Sequence, residues 1–160
     1  MSDAGVNVFI SASREKVFEL IMDTSRYGEY VKGYVDQMSG PRILRQGTEH
    51  IWRIDLYGTI YRVYSFVSIL EYPSMYQERM HVPGLFRTTM TYCIHEVEQG
   101  VDFLCRWEYE PVSWSATGIL AKRLMDGRNI LRRIALENIA GMKRLLEKNP
   151  AVNSFCGGEQ

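Results

Sequence analysis

The strongest constraint on this chain is a change of hydrophobic period at Pro111. From Tyr34 to Glu110, strand-like runs follow one another with turn signals between them, and the best of these runs alternate apolar and polar residues. After Pro111 the repeat becomes three and four. Leu120, Leu124, Leu131, Ile134, Ala135, Met142 and Leu145 then fall on one stripe of a helix expected from about Ala116 to Lys148. At about 1.5 Å per residue that helix reaches on the order of 45 Å, so it has to cross a whole sheet. Gly127 and Gly141 interrupt it and predict a kink or a close backbone approach.

Each strand follows from local pattern. Glu49–Tyr57 places His50, Trp52, Ile54 and Leu56 on one face. Thr59–Tyr72 is apolar on both faces, which predicts either cover on both sides or a bulge, and leaves its inward face open. Met75–Val82 follows, then the Pro83-Gly84 loop, then Arg87–Val97 with Met90, Tyr92 and Ile94 on one side. Gln99-Gly100 is a hairpin signal, and Val101, Phe103, Cys105, Trp107 and Tyr109 alternate cleanly after it. Turns this short make neighbouring strands antiparallel. Ahead of this block, Val6–Ser11 is a short strand and Ser13 caps a helix over Arg14–Met22, with Val17, Leu20 and Ile21 on its apolar side. Asp23-Thr24-Ser25 breaks that helix and starts a shorter one around Arg26–Val31.

The expected architecture is α+β: a curved antiparallel sheet with two short helices, wrapped around a long C-terminal helix. Residues 1–150 are read as one domain and residues 151–160 as a disordered tail. Nineteen cationic and nineteen anionic side chains cancel, which argues against a nucleic-acid binder, since that function normally needs a basic excess. The charge is uneven, however. Between Val112 and Lys148 eight cations face three anions, so this segment is +5 and the remainder −5. A solvated helix face explains that asymmetry, and peripheral docking on an acidic partner or membrane headgroups is the alternative. Cys93, Cys105 and Cys156 form no metal-ligand or CxxC spacing and read as reduced thiols in a cytoplasmic protein. No secretory signal pattern and no apolar run long enough to span a bilayer is present.

The phrases FISASREKVFELIMDTSRYGEYV (residues 9–31), GTEHIWRI (47–54) and YEP (109–111), followed by the long helix, occur in the order strand, two helices, strands, helix. In this the chain resembles the START/Bet v 1-like (SRPBCC) superfamily, in particular its polyketide cyclase/dehydrase and lipid-transport branch. The resemblance covers Val6 to about Glu147 and rests mainly on the Ser13 cap with EKVF at 15–18 and on the Tyr27/Tyr30 pair. It implies a helix-grip fold with an apolar cavity between sheet and helix.

The candidate cavity residues are His50, Trp52, Ile54, Met90, Tyr92, Phe103, Cys105, Trp107 and Tyr109, with Leu120 and Leu124 closing the helix side. His81, Pro83, Gly84 and Phe86 are the candidate mouth loop. No metal is expected from the widely spaced His50, His81 and His95, and no cofactor is implied. Three functions remain open. The first is binding or transport of a small hydrophobic ligand such as a lipid, quinone or polyketide-like compound. The second is a cyclase/aromatase or dehydratase that moves protons in the same cavity, with His50 and Tyr92 as first suspects. The third is a protein-interaction module with a filled interior. A titratable group facing the cavity without a structural partner would favour the second.

Overall fold

A computed structural model describes residues 2–111 and 130–148. β1 (Ser2–Ile10) leads into α1 (Arg14–Met22), a 3-10 turn at Thr24–Arg26 and α2 (Tyr27–Tyr30). The remaining strands are β2 (Tyr34–Ser39), β3 (Glu49–Leu56), β4 (Thr59–Glu71), β5 (Met75–Val82), β6 (Phe86–Val97) and β7 (Gly100–Pro111), and α3 spans Ile130–Glu147. The strands form one antiparallel sheet in the order β1-β7-β6-β5-β4-β3-β2. The return of β1 to pair with β7 brings the first strand against the last at one edge of the sheet. This is the expected helix-grip architecture.

The local causes are those read from the sequence. The Ser13 side chain accepts a hydrogen bond from the Lys16 backbone N–H and starts α1, which buries Val17, Phe18, Leu20 and Ile21. The ambiguous β4 resolves through a register shift. Val67 pairs with Glu78, but Ile69 pairs with Gln77, so Ser68 is the extra residue of a bulge. Tyr61, Val63, Ser65 and Val67 therefore face inward before the bulge and Leu70 after it, while Ile60, Tyr64 and Phe66 lie exposed on the outer face.

α3 crosses the inner face and buries Ala135, Asn138, Ile139 and Met142, with Ile134 and Leu145 half-buried. At Gly141 the helix backbone comes so near α2 that an added Cβ would sit 3.0 Å from Tyr30 Cβ and 3.2 Å from its carbonyl oxygen. The close approach predicted for this glycine is present. Among the hydrogen bonds that tie the helix to the rest of the fold, the Lys32 N–H donates to Asn138 Oδ1 at 2.7 Å, Lys143 Nζ donates to the Phe9 carbonyl at 2.8 Å, the Ser11 N–H donates to Glu147 Oε1 at 3.0 Å and Arg133 donates to the Tyr57 hydroxyl at 3.0 Å. The expected first part of the helix, with Leu120, Leu124 and Gly127, lies outside the described residues, as does the tail 151–160. Among the described residues no helix is long and apolar enough to cross a membrane.

Candidate functional site

Strand alternation sends one row of side chains from each of β3 to β7 onto the inner face. Most are apolar, and three interruptions cluster: His50 on β3, Ser65 on β4 and Glu78 on β5, each at most 4% exposed. Register explains the clustering, because His50 lies directly across from Ser65, and Glu78 sits across from Val67 on the other side of β4. His50 Nε2 and Glu78 Oε1 are 3.2 Å apart. The second carboxylate oxygen accepts a hydrogen bond from the Tyr76 hydroxyl at 3.0 Å. The Ser65 hydroxyl also hydrogen-bonds the carboxylate, and accepts in turn from Trp52 Nε1 at 2.9 Å. Nearby, the Tyr27 hydroxyl donates to the Ile21 carbonyl at 3.3 Å, and its ring lies edge-on to those of Tyr30 and Trp52.

Burial decides the charge state of this group. It pushes the Glu78 carboxyl up to about 7, although the hydrogen bonds from Ser65 and Tyr76 favour its ionised form. It also pushes His50 down to about 4, because an imidazolium there has lost its water. Among the described residues, both imidazole nitrogens and Glu78 Oε1 are buried without a hydrogen bond of good geometry. Near neutrality the carboxyl is therefore held close to its midpoint between protonated and ionised forms, beside an imidazole held neutral. Burial likewise keeps the phenols of Tyr27, Tyr30, Tyr76 and Tyr92 protonated.

Two adjoining clefts lie between this cluster and α3, with volumes of about 50 and 40 Å³. They share Val31, Trp52, Met80, Trp107 and Asn138. One of them takes in Tyr27, Tyr30, Glu78 and Tyr92 among its lining. The other is apolar, walled by Ile54, Val63, Val82, Phe86 and Ile134. The arrangement is that of a cleft with a greasy part and a titratable part.

Of the residues singled out from sequence, Trp52, Ile54, Met90, Tyr92 and Trp107 line these clefts, as does Phe86. His50 joins them through Glu78. Phe103, Cys105 and Tyr109 face the same side but are packed in the core, with Trp107 Nε1 donating to Cys105 Sγ at 2.9 Å. Pro83 and Gly84 form the β5–β6 turn. His81 does not belong to that loop: it lies within β5 on the outer face, its ring beside Tyr64. Alternation accounts for this, since Met80 and Val82 on either side of it point inward. Leu120 and Leu124 lie outside the described residues.

Sequence reasoning missed Glu78. Its signal was present, since Tyr76, Glu78, Met80 and Val82 share one phase of β5, and a carboxylate in phase with an apolar row is a buried charge. Among the described residues no group of histidine, cysteine and carboxylate side chains is placed to hold a metal ion.

No family model matches the chain, and no curated protein matches it in sequence. Solved structures do match in fold. Protein CV1439 from Chromobacterium violaceum aligns with a TM-score of 0.74 at 13% identity, covering 93% of this chain and all (100%) of that one. TTHA0849 from Thermus thermophilus aligns at 0.68 with 16% identity, over 92% of this chain and 98% of that one. The di-domain ARO/CYC protein StfQ from the steffimycin biosynthetic pathway aligns at 0.73 with 13% identity, over 91% of this chain and 51% of that one. At such identities the likeness is one of fold.

Proposed function

We propose that the cleft binds a small amphipathic molecule bearing a carbonyl group, and that Glu78 moves protons on it as acid and base. One observation carries this reading: a carboxyl buried in the lining of an otherwise apolar cleft, with a proton affinity tuned to neutrality and one oxygen, Oε1, free of a well-formed hydrogen bond among the described residues. A stretch of β5 used only for packing would carry an apolar residue at this position.

The division of labour follows from the lining. The apolar compartment around Ile54, Val82 and Phe86 takes the ligand's hydrocarbon part, and the carbonyl end reaches Glu78. The ionised carboxylate removes a proton from the carbon next to the carbonyl, and the protonated form returns one to oxygen or carbon. Tyr76 and Ser65 hold the carboxylate in place by hydrogen bonds, and neutral His50 lies against Oε1 to receive a hydrogen bond when that oxygen is protonated. The fold shared with an ARO/CYC protein supports a cyclase- or aromatase-type reaction, which consists largely of such proton shuttling. A small cleft favours a compact substrate over a lipid.

The test begins with native mass spectrometry and extraction of whatever co-purifies. The carbonyl compound so identified is then incubated in D₂O with wild type and with Glu78→Gln. Deuterium incorporation next to the carbonyl, reduced at least ~100-fold in the variant while binding persists, is expected for an acid–base residue. Tight binding with no exchange in wild type would make the protein a carrier, and an apo protein that takes up no carbonyl or apolar ligand would remove both readings.

A further inference from the structure

A cavity of about 660 Å³ lies against the outer face of the sheet; its lining is mainly outward side chains of β3–β7 and also takes in His50, Ser65, Met80 and Thr88 of those strands, whose side chains face inward. It falls inside the roughly 300–1,000 Å³ range of small-molecule sites. Register lays out its floor in two rows. Tyr64, His81, Arg87 and Glu110 follow one another across β4, β5, β6 and β7. One step along, Phe66, Arg79, Thr89 and Glu108 do the same. Tyr64 and Phe66, side by side on β4, are 39% and 38% exposed, with the Tyr64 ring tilted toward that of His81.

The charges are placed unusually. Arg79 and Arg87 are diagonal neighbours across β5 and β6, and among the described residues neither forms an ion pair. Like charges so placed repel unless an anion lies between them. His81, between Tyr64 and Arg87 in its row, has an Nε2 that is shielded from water and has no hydrogen-bond partner among the described residues. Among the described lining residues the carboxylates stand at Glu49 on β3 and at Glu108 and Glu110 on β7, with Glu110 directly across from Arg87. An extended polyanion such as a nucleic acid would meet all three, whereas a compact single anion over β5 and β6 would lie beside Glu110 alone.

We infer that this outer cavity is a second binding site, separate from the Glu78 cleft, and that it takes a planar aromatic carboxylate. The ring stacks on Tyr64 and Phe66, and the carboxylate bridges the guanidinium groups of Arg79 and Arg87, where charge-assisted hydrogen bonds are strongest. The site does not depend on the chemistry assigned to the inner cleft.

The test is titration of ¹⁵N-labelled protein with 2-naphthoate, read by amide chemical shifts. Saturable shifts at Tyr64, Phe66, Arg79, His81, Arg87 and Thr89 are expected. Arg79→Gln and Arg87→Gln should each weaken binding at least tenfold in proteins whose spectra remain dispersed. The neutral analogue 2-naphthamide, offered to wild type, should bind at least tenfold more weakly than the acid, a comparison that needs no variant. Shifts confined to Trp52, Tyr92 and Trp107, equal binding of acid and amide, or no saturation would each overturn the assignment.

Discussion

Glu78 Oε1 and His50 Nε2 lie 3.2 Å apart inside the sheet, and between them they hold the same number of protons folded as unfolded over two pH units. The unfolded pair, with ordinary values of 4.5 and 6.5, carries its proton on the imidazole; the folded pair, at about 7 and about 4, carries it on the carboxyl. The proton has changed residue without changing in number.

This sets a pH dependence whose sign can be worked out. The raised Glu78 value contributes stability that is complete below 4.5 and lost as pH rises through 7. The lowered His50 value contributes stability that is complete above 6.5 and lost as pH falls through 4. Between 4.5 and 6.5 the pair cancels and adds no slope. His50→Gln leaves the Glu78 slope alone, so this variant should lose roughly 3 kcal/mol relative to wild type as pH rises from 4.5 to 7. Glu78→Gln leaves the His50 slope and should lose a similar amount as pH falls from 6.5 to 4. Urea unfolding at four pH values decides it, and variant curves parallel to wild type would show that the pair does not titrate with folding.

The Tyr76 hydroxyl donates to the charged form of Glu78, so its removal should drive the carboxyl further toward protonation. Tyr76→Phe is expected to raise the Glu78 midpoint above 7 and to cost about 1 kcal/mol. Ser65→Ala should move the midpoint the same way and cost more, about 1–3 kcal/mol, because it also strands the buried Trp52 indole N–H. Carboxyl carbon NMR of ¹³C-glutamate-labelled protein follows the midpoint directly. A downward movement in either variant would mean that these hydroxyls do not serve the ionised form.

Much of this was legible in the sequence because sheet and helix announce themselves by period. The clean alternation of Val101 to Tyr109 and the Ser13 cap led directly to β7 and α1. β4 did not, since a bulge at Ser68 reverses its phase and its outer face carries Ile60, Tyr64 and Phe66, which look like core. The inward candidates on β3, β6 and β7 followed from the same alternation, whereas the central carboxylate was overlooked because its strand was not phased against its neighbours. His81 was assigned to a loop because the nearby Pro83-Gly84 turn outweighed the strand pattern running through it. The partnership of His50 with Ser65 and Glu78 depends on register across β3, β4 and β5, and no local signal encodes register.

Gly40 controls where His50 sits. Its φ of +97° is one that side chains other than glycine rarely adopt, and an added Cβ would lie 2.5 Å from His50 Cβ and 2.8 Å from its Cα. Gly40→Ala should therefore cost at least about 2 kcal/mol, from backbone strain and collision together. Gly47→Ala is the matched control, with φ +81° but no atom within 4 Å of the new Cβ, and should cost only the strain, about 1 kcal/mol. Equal losses of thermal stability in the two variants would show that the contact with His50 is unimportant.

Cys105 and Cys93 both lie in strands of the described structure and face opposite sides of the sheet. Cys105 faces inward beside Tyr92, is 1% exposed, and accepts a hydrogen bond from Trp107 Nε1. Burial pushes its thiol up to about 12, outweighing the indole hydrogen bond that favours the thiolate. Thiolate is the species that alkylates, so Cys105 is doubly protected, by access and by protonation. Cys93 is half-buried on the outer face and lacks the first of these protections. Brief treatment of native protein with iodoacetamide at pH 8, followed by peptide mass spectrometry, should label Cys93 and leave Cys105 unmodified until denaturant is added. Trp107→Phe removes the indole hydrogen bond and should make the Cys105 thiolate scarcer still, so any native labelling it produces would report loosened packing. Native labelling of Cys105 in wild type at a rate equal to Cys93 would mean that β6 and β7 separate readily, and would place the inner face of the sheet within reach of solvent.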